Sequence, residues 1–174
     1  MADLVRVFTF KEGLLSRVAH DLRLHVEPRG VRVTRSGDEV RAEIDPRCLV
    51  VDGAMRDARV DANALGERDR KKIVETIRRE ILGVDAHPLI RFLGHVTGGR
   101  VTEQDEGALE VRGELELLGR RRPLSFRATR EDRRIRARVT LRPSDWGIRP
   151  YKALAGAIRL QDRVLVELDL DDSE

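Results

Sequence analysis

His20 and Asp21 are the adjacent side chains in this sequence with the makings of acid–base chemistry. A carboxylate that orients an imidazole can turn it into a general base, but neighbours along a strand point to opposite faces. Asp21 is therefore badly placed to orient His20, which is read instead as a polar group near the mouth of a binding site. There it either bonds a ligand head group or makes a structural hydrogen bond. His25, His87 and His95 lack the spacing of metal ligands, and the single cysteine, Cys48, with its scattered acids assembles no metal site. No G-x-S-x-G elbow and no phosphate-cradling glycine loop occurs, and Ser16, Ser36, Ser125 and Ser144 are read as turn or strand residues. Arg120, Arg121 and Arg122 form the densest basic cluster, expected in a solvated turn. As a binding site that cluster would suit a lipid phosphate or an anionic surface better than a nucleic acid, because one Trp, one Tyr and four Phe supply almost no stacking platform. The expectation is thus no catalytic residue, no metal, no cofactor and no nucleic-acid partner.

These residues are carried by alternating segments. The stretch 141–170 holds the only Trp and the only Tyr. Ser144-Asp145-Trp146-Gly147-Ile148 reads as a strand end that bends sharply. Val164, Val166, Leu168 and Leu170 then alternate with Leu165, Glu167 and Asp169 as a strand with one buried face. Between them, Tyr151 to Ile158 is a small apolar loop expected to cover an opening. Upstream, Val5 to Phe10 reads as a first strand and Leu22 to Val26 as a second, with Val31–Arg35 and Val40–Asp45 forming a hairpin around Gly37. Cys48–Val51 and Ala58–Ala62 are short strands. Ile73, Val74, Ile77, Ile81 and Leu82 predict one amphipathic helix stopped by Gly83, its charged face solvated.

Leu89 to Val96 is a further strand, and 109–117 alternates most cleanly of all, with Glu110, Glu114 and Glu116 on its outer side. Segments 124–129 and 134–141 complete the set, the latter exposing Arg134, Arg136 and Arg138. The acidic and basic rows are expected to face one another on adjacent strands. Eight to ten strands with one interrupting helix point to a single domain over 1–174, mainly β, a closed antiparallel barrel or sandwich. A total of 34 Lys and Arg against 31 Asp and Glu leaves a charge of +3, weak grounds for a polyanionic partner. The start Met1-Ala2-Asp3-Leu4-Val5-Arg6 goes straight into alternation, no stretch is long enough to span a membrane, and one cysteine suits a reducing compartment. A cytoplasmic location is expected.

Three segments resemble the YceI-like family, lipocalin-like barrels associated with polyisoprenoid and other long-chain lipid binding. Gly113-Glu114-Leu115-Glu116-Leu117-Leu118-Gly119-Arg120-Arg121-Arg122-Pro123 matches the family's G-x-L-x-L-x-G-x-x-x-P pattern. His87-Pro88-Leu89-Ile90-Arg91-Phe92 is similar to its P-x-I-x-F segment, and Asp145-Trp146-Gly147-Ile148 to its end region. Glu116 stands where the family usually has Thr, and Val26-Glu27-Pro28-Arg29-Gly30 replaces a common Gly-Phe pair. The resemblance implies a lipocalin-like β-barrel around an isoprenoid or acyl lipid.

Inward alternation supplies the candidate lining: Leu22, Leu24, Val26, Phe92, Leu115, Leu117, Phe126, Ile135, Val139 and Trp146, with His20, Tyr151, Leu154 and Ile158 at the mouth. These apolar residues serve a ligand or simply fill a core, and alternation is the same in both cases. The alternative to a lipid carrier is a non-enzymatic interaction module with a solid barrel. An enzyme would need convergent polar groups near His20. Edge strands either close the barrel or pair two copies as a homodimer.

Overall fold

The computed structural model describes residues 2–12, 20–97, 107–153, 155 and 158–172. Its strands are β1 (Leu4–Lys11), β2 (Leu22–Val26), β3 (Val31–Ser36), β4 (Glu39–Ile44), β5 (Leu49–Arg56), β6 (Arg59–Asp61), β7 (Ile90–Thr97), β8 (Ala108–Leu117), β9 (Arg120–Glu131), β10 (Arg134–Leu141), β11 (Lys152–Ala153) and β12 (Ile158–Asp171). One helix, α1 (Glu67–Thr76), runs on into a wider turn over Ile77–Ile81. The strands form one antiparallel sheet in the order β3-β4-β7-β8-β9-β10-β12-β1-β2-β5-β6, with β11 on β12. This is the mainly β, lipocalin-like barrel expected, with more and longer strands than the sequence suggested. Alternation explains the curl: each strand has one apolar face, and only a closed or nearly closed sheet turns all of them toward one interior.

The hydrogen-bonded ladder itself does not close, since β3 and β6 are its two edges. Helix α1 packs at that seam. Val74 joins Val5, Leu24, Val26, Leu49 and Val51 in one core cluster, while Ile73 and Ile77 pack against it together with Val31 and Ile44. The predicted single apolar stripe is therefore divided. Residues 73 and 74 are about 100° apart on a helix, so Val74 is buried against β5 while Ile73, Ile77 and Ile81 line the interior. Gly83 ends the segment at φ +50°, where a side chain would be strained.

Two expectations are corrected. Arg120 to Pro123 are not a turn: they open β9, and the turn is only Leu118-Gly119, with φ +52° and +68°. Two consecutive left-handed residues match the right-handed twist of the flanking strands and start the hairpin at once. Pro123 is tolerated because it pairs with Glu114 on one side, while β9 meets β10 only over Ala128–Glu131. The acidic row of β8 does not meet the basic row of β10 either, because β9 lies between them. Instead Glu116 pairs with Arg121 and Arg91, and Arg134, Arg136 and Arg138 pair with Asp169 and Glu167 on β12.

Candidate functional site

Inward side chains of β1, β2, β3, β4, β7, β8, β9, β10 and β12, with one face of α1, enclose a cavity of about 940 Å3. On β12 the inward row is Val164, Val166, Leu168 and Leu170; on β1 it is Val5, Val7 and Thr9. The two rows meet in register, Val5 opposite Leu168, Val7 opposite Val166, Thr9 opposite Val164. Phe92 and Phe126 form the aromatic part of the opposite wall, ring centroids 5.9 Å apart and tilted by 52°. Gly94 and Gly113 face each other across β7 and β8 beneath that ring, and a Cβ on either would come within 2.8 Å of Phe92. The glycines make the space that Phe92 occupies.

All of the expected lining residues that are described do line this cavity: His20, Leu22, Leu24, Phe92, Leu115, Leu117, Phe126, Trp146, Tyr151 and Ile158, together with Val26, Ile135 and Val139. Leu154 lies outside the described residues, as does Gly156, so the covering loop is seen only in part. The part seen is β11, which pairs Lys152 with Arg159 and Ala153 with Ile158.

The cavity's two ends differ. At one, the turn Pro143–Trp146 is fastened to the wall. The Trp146 indole Nε1 donates to the Leu115 carbonyl at 3.0 Å, and the indole is 4% exposed. The Ser144 amide donates to Asp162 Oδ1 at 3.0 Å and its hydroxyl to Oδ2. Those bonds hold the Asp162 carboxyl below the usual carboxylate range, with Arg142 adding to the effect. Gly147 closes the turn at φ +83°. His20, Arg149, Tyr151 and Arg163 line this end. His20 and Asp21 separate as expected, Asp21 Oδ1 accepting from the Lys11 amide at 2.6 Å while His20 faces the cavity.

At the other end Asp172 ties three walls together. Its Oδ1 accepts from Arg35 Nη1 of β3 at 3.2 Å, and its Oδ2 lies 2.7 Å from Arg130 Nε of β9. In the ladder β3, β9 and β12 are not neighbours, so one carboxylate spans the end of the barrel.

Three features were not read from the sequence. Thr9 stands in the alternating row of Val5 and Val7 that the sequence shows, but its place in the cavity lining was not drawn from it. Ile73, Ile77 and Ile81 line the cavity at intervals of four, also visible in the sequence. The outer trio in which Asp52 accepts from Arg23 Nε at 2.7 Å and meets His25 Nδ1 at 2.5 Å was not visible. It depends on a bulge in β5 opposite Arg23 and Leu24, which brings residues 27 and 29 positions apart together. Among the described residues no group of three His, Cys, Asp or Glu is arranged to hold a metal.

A family model described as a YceI-like domain matches residues 19–171. No curated protein matches the sequence. Among solved structures, the chain is similar to BcnA of Burkholderia cenocepacia, with a TM-score of 0.60 at 10% identity over 96% of this chain and 94% of that one. It is also similar to a polyisoprenoid binding domain from Saccharophagus degradans implicated in plant cell wall breakdown. There the TM-score is 0.61 at 10% identity, over 96% of this chain and 91% of that one. At such identities the likeness concerns the fold.

Proposed function

The chain belongs to the YceI-like family, and from that premise we propose that it is a non-enzymatic carrier that encloses one isoprenoid or long-chain acyl lipid. The observation that carries the reading is the continuous apolar cavity of about 940 Å3. A side-chain-filled barrel, the interaction-module alternative, has no such space. The cavity's volume lies at the upper end of the roughly 300–1,000 Å3 typical of sites that enclose one small ligand. The polyisoprenoid binding domain of Saccharophagus degradans shares the fold and supports the same ligand class.

Burying an alkyl or prenyl chain supplies about 25 cal/mol per Å2 of apolar surface, before the cost of ordering the chain. Among the described residues His20 has no carboxylate partner, and Asp162 and Asp172 at the two ends are engaged with Ser144, Arg35 and Arg130. The ligand enters at the His20 and Tyr151 end, since the other is spanned by Asp172. The lone Cys48, a free thiol, suits a reducing compartment, and the reading puts the protein in the cytoplasm. No described helix is long and apolar enough to cross a membrane.

Native mass spectrometry of the protein purified from its own source tests this reading. A stoichiometric isoprenoid or acyl adduct, identified after extraction, is the expected result. A clean apo mass that persists after incubation with prenols and fatty acids would shift the reading to the interaction module.

A further inference from the structure

Thr9 is a polar residue at the end of an aliphatic row. Val5, Val7 and Thr9 face the cavity in turn along β1, and Thr9 lies in register with Leu22 on one side and Val164 on the other. Its Oγ1 is buried and, among the described residues, has no hydrogen-bond partner. A hydroxyl held among aliphatic side chains weakens the fold, whereas valine has the same shape and equal or better strand propensity. Packing therefore gives no reason for threonine here.

Two further uncommitted polar groups line the same end. His20 lies two residues before Leu22, the partner of Thr9, and makes no hydrogen bond or ion pair with a described residue. The Tyr151 phenol is equally free among the described residues, while its backbone carbonyl accepts from Leu160, the residue opposite Lys11 of β1. Hydroxyl, imidazole and phenol can each pair with an oxygen of a ligand.

Charge narrows the class of that oxygen. No charged side chain is buried among the described residues. Of the cations that line the cavity, Lys72, Arg149 and Arg163 are exposed and Arg35 is paired with Asp172 at the far end. A carboxylate or phosphate brought to the depth of Thr9 would leave water without a buried counter-charge, which is strongly unfavourable. An alcohol or carbonyl would lose little.

Resting on the carrier reading, we propose that Thr9, with His20 beside it, is the specificity-determining post of the cavity: it selects and orients a chain whose polar end is an uncharged oxygen, an alcohol or carbonyl, over the corresponding acid. The chain then runs from Thr9 toward the wall formed by Phe92 and Phe126.

The test is displacement of N-phenyl-1-naphthylamine from the full chain by three ligands of one length: geranylgeraniol, geranylgeranoic acid at pH 8 and the matching hydrocarbon. Wild type, Thr9→Val and Thr9→Ser are compared. Wild type should prefer the alcohol to the hydrocarbon by about fivefold, the worth of one neutral hydrogen bond, and should bind the acid more weakly than the alcohol. Thr9→Val should abolish the preference for the alcohol and melt no lower than wild type without ligand. Thr9→Ser should keep the preference.

Equal binding of alcohol and hydrocarbon by wild type, or a preference that survives in Thr9→Val, would overturn the post and leave the carrier reading standing. An acid that binds tighter than the alcohol would overturn the uncharged class. A wild-type protein that binds neither the dye nor any of the three would overturn the carrier reading, and this inference with it.

Discussion

Asp162 does at the level of one residue what a helix cap does for a helix. Two donors of Ser144, the amide and the hydroxyl, converge on its carboxylate and hold the turn that carries Trp146 against the cavity wall. Because these bonds favour the charged form, the folded pKa lies below the unfolded value of about 3.9. Such a group contributes its full stabilisation above pH 4, and the contribution disappears as pH falls through the folded pKa. Asp162→Asn should therefore cost stability at pH 7, by up to about 1 kcal/mol since the site is partly exposed, and the difference from wild type should shrink as pH falls through the folded pKa. Urea unfolding across that range, followed by the emission of the single tryptophan, measures it. A difference that is constant with pH would mean that the carboxylate's charge is not what holds the turn.

The glycine pair of β7 and β8 acts at the level of elements. Gly113 leaves so little room that a Cβ would lie 2.3 Å from the Leu93 carbonyl and 2.8 Å from the Phe92 ring, and the first of these is backbone that cannot rotate away. Gly113→Ala should force the two strands apart and lift Phe92 into the cavity, at about 1–3 kcal/mol; thermal unfolding checks the first effect and loss of dye uptake the second. The sequence displayed the strands themselves, since period-two runs such as Val164 to Leu170 state which face is buried. It did not display their neighbours. Glu116 and Arg138 each belong to an outer face, but nothing in an alternating pattern says that β9 separates them or that Arg138 finds Glu167. The Arg120–Pro123 segment misled for a local reason, because arginines and a proline after Leu118-Gly119 have turn-like composition although two left-handed residues already complete the turn. Asp52 with Arg23 and His25 was hidden because the bulge that unites them leaves no periodic trace.

At the scale of the whole molecule, what separates a carrier from a solid barrel is where the interior volume goes. The inward residues were legible, including nearly all the expected lining, but their summed volume against the space enclosed was not, since it depends on the tilt of the strands and on where α1 sits along the seam between β3 and β6. The helix presents Ile73, Ile77 and Ile81 to the interior as a wall and does not plug it. A hollow interior lined by apolar groups forgoes packing contacts that a filled one would have, so an occupant that fits should stabilise the fold by its binding free energy. At one hundred times its dissociation constant a ligand adds about 2.7 kcal/mol. For a chain of 174 residues, that raises the melting temperature by about 5–10 °C. Geranylgeraniol added to the unliganded protein should give a shift of this size, growing by about 1.4 kcal/mol for each further tenfold in free ligand. Calorimetry over two decades of concentration supplies both numbers. A melting temperature indifferent to the alcohol while it is shown to bind would mean that it binds the unfolded chain as well as the folded one, and so does not occupy a cavity that only the folded chain has.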